Sequence, residues 1–159
     1  MIILLFDLQN SYLSLNVFTM NKIEHIGIAV KNLKDANKLF AKLLGEKHYK
    51  TEEVKSEGVS TSFFKVGGNK IELLEAINEE SPIAKFINKK GEGIHHIAFD
   101  VDDIEAEIDR LTEEGFIVLN NKPKKGADNK LVAFLHPKST NGVLIELCQE
   151  IPLKEKKGL

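Results

Sequence analysis

The sequence predicts an α+β protein built from two βαβββ modules. Three observations carry that prediction. A histidine followed by small residues inside an aliphatic strand occurs twice, at His25 and His96, 71 positions apart. Each copy is followed by a polar turn and a helix-period stretch ending at glycine, over 32–45 and 103–115. Each half then closes on a strand with one glutamate among aliphatics, Lys-Ile-Glu-Leu-Leu around Glu72 and Val-Leu-Ile-Glu-Leu around Glu146. Two units of this size are too long for a solenoid period and too few for an array.

Residues 22–30 form the first strand. Ile26, Ile28 and Val30 share one parity, and His25, Gly27 and Ala29 share the other. Asn32 is placed as a helix N-cap with Asp35 three positions on, and Leu33, Ala36, Leu39, Phe40, Leu43 and Leu44 recur at helical spacing. Residues 47–55 read as a strand exposed on one side. The turn at Glu57-Gly58 leads to strand 59–66, and Gly67-Gly68-Asn69 turns into strand 70–76. Ser81-Pro82 opens a linker helix over 81–90, with serine as cap and proline at the first helical position.

The second module begins with strand 93–101. Ile97, Phe99 and Val101 make its apolar parity, which His95 joins, while Ile94, His96, Ala98 and Asp100 face the other way. A helix on Ile104, Ile108 and Leu111 follows, then strand 116–120 and a lysine- and glycine-rich loop over 121–129. Strand 131–136, a turn from Pro137 to Gly142 and strand 143–149 complete it. Residues 151–159 are expected to be a charged, frayed tail. Residues 1–20 are expected to be an N-terminal extension outside the fold, of which 1–19 would lie upstream of a natural start at Met20; neither a secretory signal nor a membrane span is expected there. The domain itself is expected to run over 21–150.

Composition bounds the function classes. Hydrophobic content of 42% with 29% charged residues belongs to a globular protein with a substantial core. A net charge of −2 with interspersed signs argues against a general nucleic-acid binder. One cysteine, Cys148, excludes an internal disulfide framework and fits a reducing, cytoplasmic setting. Cys148 reads as a small buried apolar residue.

His25, His96, Glu72 and Glu146 each face away from the aliphatic side of their strand. A lone carboxylate in an aliphatic strand is costly to bury. Two carboxylates and two imidazoles in the same order in two similar modules suggest a shared divalent ion such as zinc, cobalt, nickel, manganese or iron. Four such ligands on an octahedral ion leave two positions for a substrate. His48 is expected at the surface, and His136 in a loop near the site mouth.

Several stretches carry a family resemblance: His25-Ile-Gly-Ile-Ala-Val, Lys70-Ile-Glu-Leu-Leu-Glu, Ser81-Pro-Ile-Ala-Lys-Phe, Gly93-Ile-His-His-Ile-Ala-Phe-Asp-Val, Phe134-Leu-His-Pro-Lys and Gly142-Val-Leu-Ile-Glu-Leu. With them the chain resembles the vicinal oxygen chelate, or glyoxalase-like, superfamily and, within it, the methylmalonyl-CoA epimerases. The resemblance implies a mixed sheet curved around a metal site whose ligands are His25, Glu72, His96 and Glu146. It also implies epimerisation of methylmalonyl-CoA through a metal-stabilised enolate, with Glu146 as one acid/base group, and a homodimer. Some relatives have a carboxylate in the strand after the Gly-Val turn; here Val59-Ser60-Thr61-Ser62 offers none, so the second acid/base is unassigned. Lysines of the loop 122–130 and Lys138 are candidate neighbours of the CoA phosphates. The competing readings are a lactoylglutathione lyase-type metalloenzyme of the same fold and a non-catalytic small-ligand-binding module.

Overall fold

The structure is a computed structural model and describes residues 20–152. The expectations for residues 1–19 and for the end of the tail from 153 lie outside the described residues. The elements run β1 (Lys22–Ala29), α1 (Leu33–Leu44), β2 (Lys50–Val54), β3 (Val59–Val66), β4 (Asn69–Ala76), α2 (Pro82–Lys90), β5 (Gly93–Asp100), α3 (Ile104–Glu113), β6 (Lys124–Lys125), β7 (Lys130–Leu135) and β8 (Leu144–Glu150). Each half is therefore βαβββ, with α2 as the link.

All eight strands form one sheet in the order β2-β3-β4-β1-β5-β8-β7-β6. The order is palindromic about the β1–β5 pair. β1 and β5 run antiparallel, and each lies parallel to the last strand of its own module, β1 to β4 and β5 to β8. The duplicated sequence thus becomes a sheet with an approximate two-fold axis between its central strands, which brings His25 and His96 to the same neighbourhood.

Alternation decides what each face carries. On the outer face, α1 covers Val30, Phe64 and Leu73, and α3 covers Ala133, Leu135 and Leu147. Burial of these apolar side chains supplies the main driving force, roughly 25 cal/mol per Å² of apolar area removed from water. Asn32 and Asp103 cap the starts of α1 and α3 by accepting from the N–H of Asp35 and Ala106; Gly45 takes the left-handed conformation (φ 74°) that ends α1, whereas α3 ends at Glu113, capped by Glu114 just ahead of the expected Gly115.

The sheet curls until its two edges meet. Lys50 of β2 lies 3.2 Å from Asp128, in the β6–β7 turn, and the Tyr49 hydroxyl donates to the same carboxylate at 3.0 Å. Lys124 of β6 pairs with Glu57, just past β2, at 2.6 Å. The inner face is closed into a cavity by these polar contacts between the ends of one sheet.

One expected strand is replaced. Residues 116–120 form no strand; Val118 makes a single bridge to Leu135, and the edge resumes only at β6, within the segment expected to be loop. The intervening turn contains Pro123, which has no N–H to give to a ladder. One edge strand is thereby split into a bridge and a two-residue remnant.

Candidate metal centre

The inner face is set by two interruptions of strand alternation. The β1–β5 ladder pairs Ile23 with Phe99 and next His25 with Ala98, which leaves Glu24 as an extra residue on β1. It pairs Gly27 with His96 and next Ile28 with Ile94, which leaves His95 as an extra residue on β5. These β-bulges bend each central strand at equivalent positions of the two modules, immediately before each histidine. Glu24 and His25, and likewise His95 and His96, all line the same cavity of about 260 Å³.

His95 was expected on the apolar parity, packed with the core. The bulge overturns that: His95 stacks edge-on against Phe86 of α2, ring centroids 5.0 Å apart, and its Nδ1 lies 2.9 Å from Nδ1 of His96. Glu24 was not singled out at all. Its carboxylate is 4% exposed, and its Oε2 lies 2.5 Å from Nδ1 of His25. A signal for both was present in the sequence. Ile-Glu-His-Ile (23–26) and Ile-His-His-Ile (94–97) each place two consecutive polar residues between aliphatics, where strict alternation allows one.

With their Nδ1 atoms occupied, both histidines turn Nε2 to the middle of the site. The two Nε2 atoms are 2.9 Å apart. Glu72 Oε2 lies 3.1 Å from His25 Nε2 and 3.5 Å from His96 Nε2; Glu146 Oε2 lies 3.1 Å from His96 Nε2 and 3.9 Å from His25 Nε2. The structure thus brings together all four residues singled out from the repeat, each between 3% and 6% exposed. The ligand atoms of His25, His96 and Glu146 all lie within 4.8 Å of one another, and Glu72 Oε2 sits within 3.5 Å of both imidazoles, the order of separation that a shared ion with bonds of about 2.1 Å calls for. Two imidazoles and two carboxylates are also a donor set suited to a divalent first-row ion. By both tests the residues present fit a metal.

The remaining oxygen of each glutamate is tied down. Glu72 Oε1 accepts from the Thr61 hydroxyl at 2.8 Å, and Glu146 Oε1 accepts from the Cys148 thiol at 3.1 Å. Cys148 is fully buried, as expected, and burial together with Glu146 pushes its thiol pKa far up. It therefore presents a neutral S–H rather than a thiolate ligand. Burial opposes charge on His25, yet the surrounding carboxylates of Glu72, Glu24 and Glu146 outweigh it and raise its pKa to about 10. Against burial, the same contacts with His25 and His96 hold the Glu72 carboxyl far below the usual carboxylate range. Burial and the neighbouring His96 lower His95 to about 4, so its ring is neutral.

Other expected positions fall elsewhere. His48 is half-buried rather than at the surface, packed edge-on against Phe64 with centroids 5.8 Å apart. His136 caps the turn after β7 by accepting from the Lys138 N–H and does not line the cavity. In the loop expected to face CoA phosphates, Lys124 is paired with Glu57, and Lys130 is buried between Glu150 at 2.5 Å and Glu24 at 3.6 Å. Lys122, Lys125 and Lys138 have no carboxylate partner among the described residues.

The sequence profile of the Glyoxalase/Bleomycin resistance protein/Dioxygenase superfamily matches residues 24–134. The ethylmalonyl-CoA/methylmalonyl-CoA epimerase of Cereibacter sphaeroides is 42% identical over 132 residues, which cover 82% of this chain and 98% of that protein. Among solved structures, a hypothetical protein of Bacillus halodurans superposes with a TM-score of 0.80 at 47% identity, covering 85% of this chain and 98% of the other. A variant of Streptomyces coelicolor methylmalonyl-CoA epimerase, in complex with 2-nitronate-propionyl-CoA, superposes with a TM-score of 0.82 at 33% identity and the same coverage.

Proposed function

The chain belongs to the Glyoxalase/Bleomycin resistance protein/Dioxygenase superfamily, and from that premise we propose that it interconverts the two epimers of methylmalonyl-CoA. The observation that carries this reading is the convergence of His25, Glu72, His96 and Glu146 in one cavity, in a chain that aligns with 98% of the length of the Cereibacter sphaeroides epimerase.

The reaction removes a proton from the carbon between a thioester and a carboxylate and returns it on the opposite side. A divalent ion held by these four residues supplies Lewis acidity, which makes that C–H more acidic by drawing charge onto the substrate oxygens. The chain's own contribution is threefold. Glu72 and the two histidines are immobilised by Thr61 and by the bulge residues, so the site needs little rearrangement. Phe63, Ile83, Val132, Phe134 and Leu144 wall the cavity with apolar surface, which excludes water from a strongly basic intermediate. Glu146 takes or returns the proton on its side of the substrate.

The opposite side is not served from β3. Thr61, opposite Leu74 and diagonal to Glu72 across the β3–β4 ladder, has its hydroxyl committed to Glu72 and to the Leu73 carbonyl at 2.9 Å. The other carboxylates lining the cavity, Glu24, Glu57 and Asp128, are each paired with a lysine. A homodimer in the cytoplasm is part of the same reading. Among the described residues no helix is long and apolar enough to cross a membrane.

The test is solvent exchange. Cobalt- or manganese-supplemented protein in deuterium oxide is expected to place deuterium on the α-carbon of methylmalonyl-CoA. Glu146→Gln is expected to lower that exchange at least 100-fold, the usual contribution of a positioned acid/base. Lack of exchange by the supplemented wild type, beside turnover of the methylglyoxal–glutathione adduct, would replace this assignment with the lyase.

A further inference from the structure

We infer that Glu24 is a positioning residue, whose carboxylate, braced by Lys70, holds the His25 ring with Nδ1 protonated and Nε2 presented to the ion. The inference rests on the metal reading above. Glu24 divides its two oxygens: Oε2 meets His25 Nδ1 at 2.5 Å, and Oε1 accepts from the Lys70 ammonium. Neither oxygen belongs to the central quartet.

A buried carboxylate is costly, and its presence asks for a reason. Serving as a counter-ion is not a sufficient one. Lys70 already has Asp128 at 2.7 Å, and Lys130, the other nearby ammonium, has Glu150 at 2.5 Å. Both lysines would stay paired without Glu24. His25 would not: in the described structure Glu24 is the partner of its Nδ1.

The other half of the molecule shows the same device with different chemistry. His95 occupies the equivalent bulge and meets His96 Nδ1 at 2.9 Å. One central imidazole is thus backed by a carboxylate and the other by a second imidazole. A carboxylate behind a ligating histidine fixes its tautomer and increases its basicity, and losing such a partner typically lowers metal affinity 10- to 100-fold. The non-equivalence makes His25 the stronger donor of the two.

Cobalt(II) affinity, measured by competition with a chromophoric chelator, and the cobalt d–d absorption spectrum test this without recourse to turnover. Glu24→Gln is expected to bind cobalt 10- to 100-fold more weakly with a shifted spectrum, and Glu24→Asp to recover part of the loss. The double variant Glu24→Gln/Lys70→Met leaves neither charge behind. It is expected to bind as weakly as Glu24→Gln, and it carries the test if the single variant fails to fold by circular dichroism. Wild-type affinity in Glu24→Gln, or full recovery in the double variant, would make Glu24 a counter-ion and overturn the inference. A wild type with no cobalt affinity would overturn the metal reading and this one with it.

Discussion

Gly27 shows how narrowly single residues control the site. Its φ is not positive, so the backbone does not require glycine there. The space does: a Cβ at this position would lie 2.5 Å from both Nδ1 and Nε2 of His96. Gly27→Ala is expected to push the His96 ring out of the quartet while the sheet persists. Cobalt titration should show at least a tenfold loss of affinity beside an unchanged far-ultraviolet spectrum. Cys148 supports a second expectation. It is the single cysteine, fully buried, with its thiol pKa raised by burial and by Glu146. A disulfide reagent at pH 8 should therefore titrate no thiol in the native protein and one per chain in denaturant; rapid native labelling would show that the β8 face opens. At this scale the four central residues were legible because duplication repeats them in order. Glu24 and His95 were not, because alternation assigns faces only while a strand stays regular, and each sits on the residue where regularity breaks.

Among the elements, helices were easier to read than edges. α1, α2 and α3 begin at capping side chains, Asn32, Ser81 and Asp103, each accepting from a backbone N–H of its own first turn. Those interactions are local, so the sequence displays them. The edge at β6 depends on distant partners, and its ladder is cut by Pro123, so a β-rich stretch at 116–120 misleads. What the edge lacks in ladder bonds is offset by side chains. Asp128 receives Lys50, Lys70 and Tyr49, and its own N–H donates to Glu52 at 3.0 Å. Exposed and half-exposed ion pairs contribute about 0–1 kcal/mol each. Asp128→Ala should therefore cost only about 1–2 kcal/mol in urea unfolding. Its larger effect should be local: faster amide hydrogen exchange at residues 124–130 as the clasp between the sheet ends loosens. Unchanged exchange there would mean that apolar contacts, not Asp128, hold the ends together.

For the whole molecule, the two-fold arrangement that assembles the site also concentrates negative charge at its centre. Glu24, Glu72 and Glu146 gather around His25, with Lys70 outside them. In the ion-free protein His25 is the group that answers these carboxylates. Burial works against its charge, but the carboxylates prevail and carry its pKa from 6.5 to about 10. The folded state then holds a proton that the unfolded chain releases above its own value. The stabilisation is fully present below pH 6.5, declines as the pH rises, and is gone above about 10. Cys148 acts in the same sense at higher pH, since its folded pKa is raised above the ordinary 9.0. The urea midpoint of chelator-treated protein is accordingly expected to fall from pH 7 to pH 9.5. His25→Gln should flatten that slope, because an amide carries no proton to lose. A midpoint that stays level or climbs over this range in the wild type would mean that the carboxylates are neutralised by some other group, and that the centre of the sheet does not depend on the charge of His25.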